Sequence, residues 1–169
     1  MSQLLLLVDE EDNVIGYDEK LPVHQKGLLH RAFSIVIFNS KGEMLIQKRA
    51  KGKYHSGGLW TNTCCSHPLK DEVLEDTLQR KLKEEMGFTC PLTYKYKFIY
   101  KYNFDNGLTE YELDYVYTGM FNGEVMPNPE EAEGFRWVKA ADVVSEAKLY
   151  PEKYTEWFKH ILARISEIS

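Results

Sequence analysis

A leucine repeat in the middle of the chain is the feature that most constrains its fold. Leu74, Leu78 and Leu82 recur every four residues, which predicts a helix from about Asp71 to Met86 with one apolar face. Gly87 indicates the end of this helix, because glycine readily adopts the left-handed conformation found there. A helix with a single apolar stripe must bury that stripe, so this segment requires a sheet or another helix beside it.

The segments around this helix have the composition of β-strands. Asp105-Asn106-Gly107 is a turn that would join two of them as a hairpin. At the C-terminus an amphipathic helix is predicted from Glu152 to Ile168, with Pro151 at its start. The predicted strands are Leu4–Val8, Ala32–Phe38, Met44–Lys48, Trp60–Cys65, Tyr94–Phe104, Thr109–Gly119 and Phe135–Val138. We therefore predict an α+β fold, in which helices pack against a mixed sheet.

Composition restricts the partners and the compartment. The 169 residues suit one domain, 1–169, and we expect a monomer or a weak dimer. The formal net charge of -5 disfavours nucleic acid and anionic membranes, so an anionic ligand needs a local cluster of positive charge. Three cysteines make no disulfide framework and favour a reducing, cytoplasmic compartment. The apolar run Leu4–Val8 is too short for a signal peptide or a membrane span.

The predicted helix carries carboxylates that could hold a divalent cation. The residues that resemble the Nudix box are Glu72, Arg80, Leu82, Glu84, Glu85, Gly87 and Phe88. In that motif, helix carboxylates hold a metal ion that binds a diphosphate. Ser66 replaces a glycine and Lys81 a glutamate, and Lys81 shares a helix face with Glu85. A cation there suits binding a diphosphate better than hydrolysing it. The alternative is that Glu84 and Glu85 are a solvated helix end.

Three histidines and two glutamates could form a second metal site. Imidazole is the commonest ligand of zinc-like ions, and carboxylates often complete such sites. Glu110 and Glu112 are two residues apart on a predicted strand and therefore project from the same face. The histidines are His24, His30 and His67. Each one could instead be structural, and a five- or six-coordinate site requires that the fold bring all of them together.

A thiol and a basic loop complete the candidate site. Cys64 and Cys65 alternate along a predicted strand, so one can face the core and the other a pocket. Cys65 is two residues from His67, so an extended strand would place both side chains on the same face, and Cys65 is the better candidate for the pocket. The loop of residues 48–53 is the densest positive stretch of the chain and could hold a diphosphate, although a solvated loop is the alternative.

Two signatures give a specific family resemblance. The segment from Trp60 to Pro68 is similar to the Trp-Thr-Asn-x-x-Cys-x-His-Pro signature of type I isopentenyl-diphosphate isomerases. The arrangement of Tyr102 with Glu110-Tyr111-Glu112 is similar to the second signature of that family. These isomerases share the Nudix fold without its hydrolysis. The resemblance implies a Nudix-type mixed β-sheet sandwiched by helices, with an extra N-terminal strand and a C-terminal helix.

The resemblance also implies a role for each candidate residue. Cys65 and Glu112 would be the acid–base pair, and Tyr102 would hydrogen-bond near Glu112. One Zn²⁺ or Mn²⁺ ion would be bound by His24, His30, His67, Glu110 and Glu112. Glu85 would help to bind Mg²⁺ on the diphosphate, and Trp157 would line the hydrocarbon pocket. The phosphates would be contacted by Lys20, Arg49, Lys53 and Lys81. Lys81 replaces the arginine of the family, which keeps the charge but loses bidentate geometry.

The implied reaction interconverts isopentenyl diphosphate and dimethylallyl diphosphate in isoprenoid biosynthesis. Protonation of the alkene creates a tertiary carbocation that water would trap, so the site must be dry. Aromatic side chains can stabilise this cation by about 0.5–2 kcal/mol each. We expect Cys65 and Glu112 to act antarafacially, on opposite faces of the alkene. Tyr102 can face Glu112 only if the hairpin contains an odd-length loop or a bulge.

Two other functions compete with the isomerase. A Nudix hydrolase of a nucleoside diphosphate derivative would need an intact metal-binding helix, which Lys81 compromises, and it leaves Cys65 unexplained. A zinc-stabilised binding module would have four closely spaced ligands, whereas the candidate ligands here are scattered and include carboxylates.

Overall fold

One mixed sheet organises the part of the chain that the computed structural model describes, residues 3–53 and 55–169. Its nine strands are β1 (Leu4–Val8), β2 (Val14–Glu19), β3 (His30–Phe38), β4 (Glu43–Arg49), β5 (Trp60–Thr61), β6 (Cys64–Ser66), β7 (Leu92–Asn103), β8 (Thr109–Met120) and β9 (Ala132–Lys139). The α-helices are α1 (Lys20–Lys26), α2 (Leu74–Met86), α3 (Ala140–Leu149) and α4 (Glu156–Ala163). Short 3₁₀ turns lie at Pro151–Lys153 and Ile165–Glu167.

Strand β3 is the centre of the sheet and determines where the candidate residues meet. It runs parallel to β8, where His30 pairs with Glu112. It runs antiparallel to β6, where Ser34 pairs with Cys65. Strand β8 forms a long hairpin with β7, and β4 joins β3 to β5 and β9. Two candidate metal ligands and the candidate thiol are therefore brought together around one strand.

Apolar side chains cover both faces of the sheet. On one face Phe33 of β3 packs in a cluster with Leu78 and Leu82 of α2. On the other face Val36 packs in a cluster with Phe158 of α4. Burial of each such side chain contributes about 1.5–3 kcal/mol. The predicted α+β fold, with a mixed sheet between helices, is confirmed, and the leucine repeat contacts the sheet as the sequence predicts.

Helix α2 begins at Leu74, three residues later than predicted. Asp71 has a φ angle of 69°, in the left-handed region, so a right-handed helix cannot include it. The end of the helix is where the sequence predicts it. Gly87 has a φ angle of 80°, and a Cβ atom there would lie only 2.7 Å from the carbonyl oxygen of Met126.

The predicted strand Trp60–Cys65 is divided into β5 and β6. Side chains replace the sheet hydrogen bonds at the break. Asn62 Nδ2 donates to the carbonyl oxygens of Ile35 and Cys64, at 3.0 and 2.9 Å. Thr63 Oγ1 donates to the carbonyl of Leu45 at 2.7 Å. The break leaves these two polar residues buried but satisfied, and it allows β6 to pair with β3.

The predicted C-terminal helix is also interrupted. The α-helical part is Glu156–Ala163, because Tyr154 forms a parallel bridge with Trp60 and the amide of Thr155 donates to the carbonyl of Trp60. Tertiary pairing thus overrides the local helical pattern.

The elements β2, α1 and α3 were not predicted. Among the described residues, no helix is long and apolar enough to cross a membrane.

Candidate active site

A pocket beside β3 collects most of the predicted site residues. The predicted residues that line it are Lys20, Arg49, Lys53, Cys65, His67, Lys81, Glu85, Glu110, Glu112 and Trp157. His24 and His30 are fully buried and contact Glu110. Two regions of this pocket differ in character. We call His24, His30, His67, Glu110 and Glu112 the buried end, and Lys20, Arg49, Lys53 and Lys81 the cationic end.

The histidines and glutamates of the buried end are close enough to share one ion. Glu110 Oε1 lies 2.9 Å from His24 Nε2 and 3.3 Å from His30 Nε2. Glu112 Oε2 lies 2.7 Å from His67 Nε2 and 3.3 Å from His30 Nε2. One ligand atom from each of His24, His30, His67 and Glu110 lies within 4.8 Å of the other three. Two ligands on opposite sides of a zinc-like ion are about 4 Å apart, so this spacing suits a metal.

Backbone carbonyls orient two of the imidazole rings. His24 Nδ1 donates to the carbonyl of Lys20 at 2.7 Å, and His30 Nδ1 donates to the carbonyl of Leu28 at 2.9 Å. A carbonyl can only accept, so in the neutral ring the lone pair is on Nε2. Both Nε2 atoms lie toward Glu110. Metal-binding histidines are typically held in this way, with the second nitrogen donating to the protein.

His30 indicates that the buried end requires positive charge. Its Nε2 atom is buried without a hydrogen bond of normal geometry, although carboxylate oxygens of Glu110 and Glu112 lie 3.3 Å away. Burial opposes protonation, yet the two carboxylates raise the pKa of His30 to about 10. A divalent cation would satisfy this nitrogen and balance both carboxylates. The residues of the buried end therefore fit a divalent metal ion.

Cys65 lines the pocket and Cys64 lies in the core, as strand alternation predicts. Cys64 is fully buried in the cluster that includes α2, whereas Cys65 lies across from Ser34 at the pocket wall. Burial raises the pKa of the Cys65 thiol to about 12, although the charge of Arg49 opposes the rise. Cys65 is therefore a neutral thiol, which carries a proton and is a poor nucleophile toward a carbocation.

The prediction for Tyr102 requires a correction. Tyr102 pairs with Glu110 rather than Glu112, packs against Phe104 and is 40% exposed. The hydroxyl that reaches Glu112 belongs to Tyr100, which donates to Oε1 at 2.7 Å and is 3% exposed. Tyr100 therefore occupies the position beside Glu112 that the sequence assigned to Tyr102.

The register of the β7–β8 hairpin explains this exchange. Asn103 pairs with Thr109, so the loop 104–108 contains five residues, the odd length that the prediction required. Tyr100 and Tyr102 consequently share a face with both glutamates. Direct cross-strand neighbours have Cβ atoms about 4.5–5.5 Å apart, so each tyrosine lies opposite one glutamate only. The strand face predicted for the tyrosine is correct. The register of the two strands decides which of the two tyrosines on that face lies opposite Glu112.

The cationic end is built from two helices, one strand end and one loop, which carry Lys20 and Lys81, Arg49, and Lys53, respectively. Lys53 contacts Glu131, and Lys81 Nζ lies 3.9 Å from Glu85 Oε2. Burial, together with the charges of Lys53 and Arg49, lowers the pKa of Lys20. Cations held this close repel one another, so an anion between them is favoured. This arrangement fits a diphosphate better than the solvated-loop alternative does.

Among the helix carboxylates of the Nudix-like motif, Glu85 is the one that lines the pocket. Its Oε1 accepts a hydrogen bond from Gln47 Nε2 at 3.2 Å, and burial raises its pKa. Glu72 and Glu84 are instead paired with Arg80, at 2.7 and 3.1 Å. The solvated-helix alternative therefore describes Glu84, whose side chain is 47% exposed, but not Glu85, at 7%.

Trp157 of α4 forms an aromatic wall of the pocket. The residue is 3% exposed, and its Nε1 donates to Asn62 Oδ1 at 3.2 Å. The guanidinium carbon of Arg49 lies 5.2 Å from its ring centroid, and the ring of His55 lies 5.8 Å away. The hydrogen bond to Asn62 fixes the indole relative to the segment that carries Cys65.

Three titratable residues of the site were not predicted from the sequence. They are His55, Tyr100 and Glu131. Tyr100 could have been found from the sequence, because it is two residues from Tyr102 on the same strand and therefore lies on the same face. His55 and Glu131 lie in connecting segments, whose paths follow no period in the sequence. Histidine is rare in this chain, with five residues in total, so its position just after the basic loop was the available signal for His55.

Comparisons with known proteins agree with this geometry. The family described as NUDIX domain matches residues 28–160. A Photorhabdus laumondii protein named Isopentenyl-diphosphate Delta-isomerase 2 is 48% identical over 166 residues, covering 98% of this chain and 94% of the relative. A Serratia proteamaculans protein named Isopentenyl-diphosphate Delta-isomerase is 47% identical over 162 residues, covering 96% of this chain and 90% of the relative.

Solved structures show the same fold at low sequence identity. A protein from Deinococcus radiodurans has a TM-score of 0.79 and 17% identity, and covers 95% of this chain and 98% of its own. The MutT protein from Methanosarcina mazei has a TM-score of 0.68 and 18% identity, and covers 82% and 93%. At these identities the likeness concerns the fold alone, and it confirms the predicted Nudix-type architecture.

Proposed function

We propose a reaction for this chain from the premise that it belongs to the Nudix family and, within it, to the isopentenyl-diphosphate Delta-isomerases. The reaction is the interconversion of isopentenyl diphosphate and dimethylallyl diphosphate, a step of isoprenoid biosynthesis. One observation carries this proposal. A thiol and a buried carboxylate, Cys65 and Glu112, line the same pocket as a group of four cations. A proton shift on a diphosphate ester needs both features.

In this proposal Cys65 and Glu112 act on opposite faces of the alkene. A proton adds to the terminal carbon, where the π electrons form the new C–H bond and leave a tertiary carbocation. Loss of a proton from the neighbouring chain carbon then forms the internal double bond, and the second group accepts that proton. Tyr100 donates a hydrogen bond to Glu112 and holds this carboxylate in position. Tyr100 thereby takes the role first assigned to Tyr102.

The carbocation must be formed away from water. Trp157 is almost fully buried, and its ring can stabilise the cation by about 0.5–2 kcal/mol through a cation–π contact. Cys65 is a neutral thiol and therefore does not offer a strong nucleophile that would trap the cation. These two properties favour proton loss over addition.

Two divalent ions are part of the proposal. The ligands of one Zn²⁺ or Mn²⁺ ion would be His24, His30, His67, Glu110 and Glu112, and this ion would set the charge of the carboxylates around it. Glu85 would hold Mg²⁺ on the diphosphate, because oxygen ligands suit this ion. Lys20, Arg49, Lys53 and Lys81 would contact the phosphates, with Lys81 acting as a point charge.

The hydrolase alternative finds less support in this site. A Nudix hydrolase needs several helix carboxylates for the metal that activates water. Here Glu72 and Glu84 both form ion pairs with Arg80, and Lys81 lies beside Glu85. The helix therefore offers one carboxylate to the pocket, which suits binding of a diphosphate rather than its cleavage.

The test is incubation of the purified protein with isopentenyl diphosphate and Mg²⁺ in D₂O, followed by NMR. The matched variants are Cys65→Ala and Glu112→Gln, each of which removes one acid–base group. We expect deuterated dimethylallyl diphosphate from the wild type and a loss of more than about 100-fold in each variant, the usual size of an acid–base contribution.

The other outcomes of this test are equally informative. Isomer formation that survives Cys65→Ala would keep the function and reject the acid–base pair. Released phosphate without isomer would establish the hydrolase, and unchanged substrate with metal bound would favour the binding module.

Several properties stay predictions. We infer one isomerase domain spanning residues 1–169, which limited proteolysis would test by leaving a single resistant core. A monomer or weak dimer is expected, and light scattering over a range of concentrations would measure the mass. A cytoplasmic location follows from the free cysteines, Cys64, Cys65 and Cys90, which suit a reducing compartment.

A further inference from the structure

We propose that His55, which lies outside the predicted ligand set, is a positioning residue that holds Glu110 as a one-oxygen ligand of the metal at the buried end. The inference rests on the metal-dependent function proposed above. It is carried by the hydrogen bond from His55 Nε2 to Glu110 Oε2, at 2.7 Å.

The two oxygens of Glu110 face different groups. Oε1 lies 2.9 Å from His24 Nε2 and 3.3 Å from His30 Nε2, the nitrogens that point into the metal site. Oε2 contacts His55 instead. A carboxylate with both oxygens free can bind a metal through one oxygen or through both. Occupation of Oε2 by a donor leaves Oε1 for the metal and fixes the geometry of the ligand.

His55 acts here as a donor rather than as a ligand. The candidate ligand atoms that lie within 4.8 Å of one another belong to His24, His30, His67 and Glu110, a group that does not include His55. His55 Nε2 therefore donates to Glu110 Oε2, because a carboxylate oxygen only accepts hydrogen bonds.

The ring of His55 is held from several sides. It stacks on Phe104, with centroids 4.5 Å apart and planes inclined by 16°, and its Nδ1 lies 3.1 Å from Ser56 Oγ. The following turn is tightly constrained, because a Cβ atom at Gly57 would lie 2.5 Å from the carbonyl oxygen of Lys51. The residue is 8% exposed. Such support keeps the imidazole in place and is typical of a positioning residue.

His55 also connects the buried end with the cationic end. Its carbonyl accepts a hydrogen bond from Arg49 Nη2 at 3.2 Å, and its ring lies 5.8 Å from that of Trp157. His55 thus contacts a proposed metal ligand, a proposed phosphate ligand and the aromatic wall. We expect the metal to be bound more weakly when this contact is removed.

The experiment compares His55→Ala with His55→Gln. The alanine removes the donor, whereas a glutamine amide can place an N–H group near the position of Nε2. His160→Gln is the matched control, because His160 is exposed and its ring packs against the rings of Phe98 and Tyr100 rather than contacting Glu110. Zn²⁺ and Co²⁺ affinities are measured by competition with a chelator, and the Co²⁺ absorption spectrum reports the ligand geometry. Circular dichroism checks the fold.

We expect His55→Ala to lower the metal affinity by about 10- to 100-fold, the usual effect of losing an outer-shell partner. His55→Gln should recover most of this loss and the wild-type Co²⁺ spectrum, and His160→Gln should change neither. Equal affinities for the wild type and His55→Ala would overturn the inference. So would a glutamine variant as weak as the alanine variant, which is expected if the imidazole itself bound the metal. Isomerase activity is assayed in parallel, so tight metal binding without isomerisation would reject the proposed function and leave this inference standing.

Discussion

The two ends of the pocket are built in different ways. At the buried end, the side chains of His24 and His30 are fully buried and that of Glu110 is 3% exposed, and β3 and β8 carry two of the three. At the cationic end, the side chains of Lys53 and Lys81 are 26% and 20% exposed and belong to a loop and a helix. The first is fixed by sheet register, and the second by charges that solvent partly screens.

This difference assigns proton transfer to the buried end and diphosphate binding to the cationic end. Groups that move protons must be held within a fraction of an ångström, which rigid strands and buried hydrogen bonds provide. Groups that attract a diphosphate act over a longer range and tolerate motion. We therefore expect changes at the buried end to lower kcat, and changes at the cationic end to raise KM.

The largest effect should follow removal of the metal. Treatment with a chelator should reduce isomerisation more than about 10³-fold, because a bound metal supplies several kcal/mol of charge stabilisation. Mg²⁺ alone should not restore activity, whereas Zn²⁺ or Mn²⁺ together with Mg²⁺ should. Circular dichroism should show a folded protein throughout, because none of the proposed metal ligands belongs to either apolar cluster. Cooperative unfolding on metal removal would instead indicate a structural site.

A matched pair of tyrosine variants tests the register of the buried end. Tyr100→Phe removes the hydroxyl that donates to Glu112 and should lower kcat about 100-fold. Tyr102→Phe changes a residue that is 40% exposed and should alter kcat less than about 3-fold. Steady-state kinetics of both variants gives the comparison. A larger effect for Tyr102→Phe would restore the assignment made from the sequence.

A lysine pair tests the cationic end. Lys53→Ala should raise KM about 10-fold, equivalent to 1.4 kcal/mol, with little change in kcat. The effect should shrink as the ionic strength increases, because this charge is partly exposed. Lys51→Ala is the control, since Lys51 lies in the same loop but is exposed to solvent and does not line the pocket. A loss confined to kcat in Lys53→Ala would contradict the proposed division between the two ends.

The smallest effect on activity is expected at a charged cluster outside the pocket. Asp12 binds Arg31 at 2.8 Å and Lys97 at 3.1 Å, and also contacts Tyr115. Burial opposes ionisation, but these donors lower the pKa of Asp12 below its usual value. Asp12→Asn should reduce the free energy of unfolding by about 1–3 kcal/mol at pH 7 and leave kcat unchanged.

The pH dependence of this variant follows from the sign of that shift. A carboxyl with a lowered folded-state pKa contributes stability above its unfolded pKa, about 3.9, and loses it as the pH falls through the folded value. The stability difference between wild type and Asp12→Asn should therefore be complete at neutral pH and shrink below about pH 4. Denaturant titrations at several pH values measure it. If the stability difference between wild type and Asp12→Asn grew as the pH fell, the lowered pKa of Asp12 would be contradicted.

The strand pairs show how much of the site could be predicted. The placement of Glu110 and Glu112 on one face, and of Cys64 and Cys65 on opposite faces, followed from strand geometry and is confirmed. The helix end at Gly87 was also predictable, because its left-handed backbone favours glycine. The start of α2 was not, since nothing local revealed the left-handed Asp71.

The sequence by itself determined which chemical groups are available and which of them share a face, because neighbours along a strand or helix are related by fixed covalent geometry. Only the tertiary structure decided that Tyr100 rather than Tyr102 meets Glu112, and that His55 reaches Glu110. The first depends on the register of two strands and the second on the path of a loop. Both are set by contacts between residues far apart in the chain, and no local pattern encodes them.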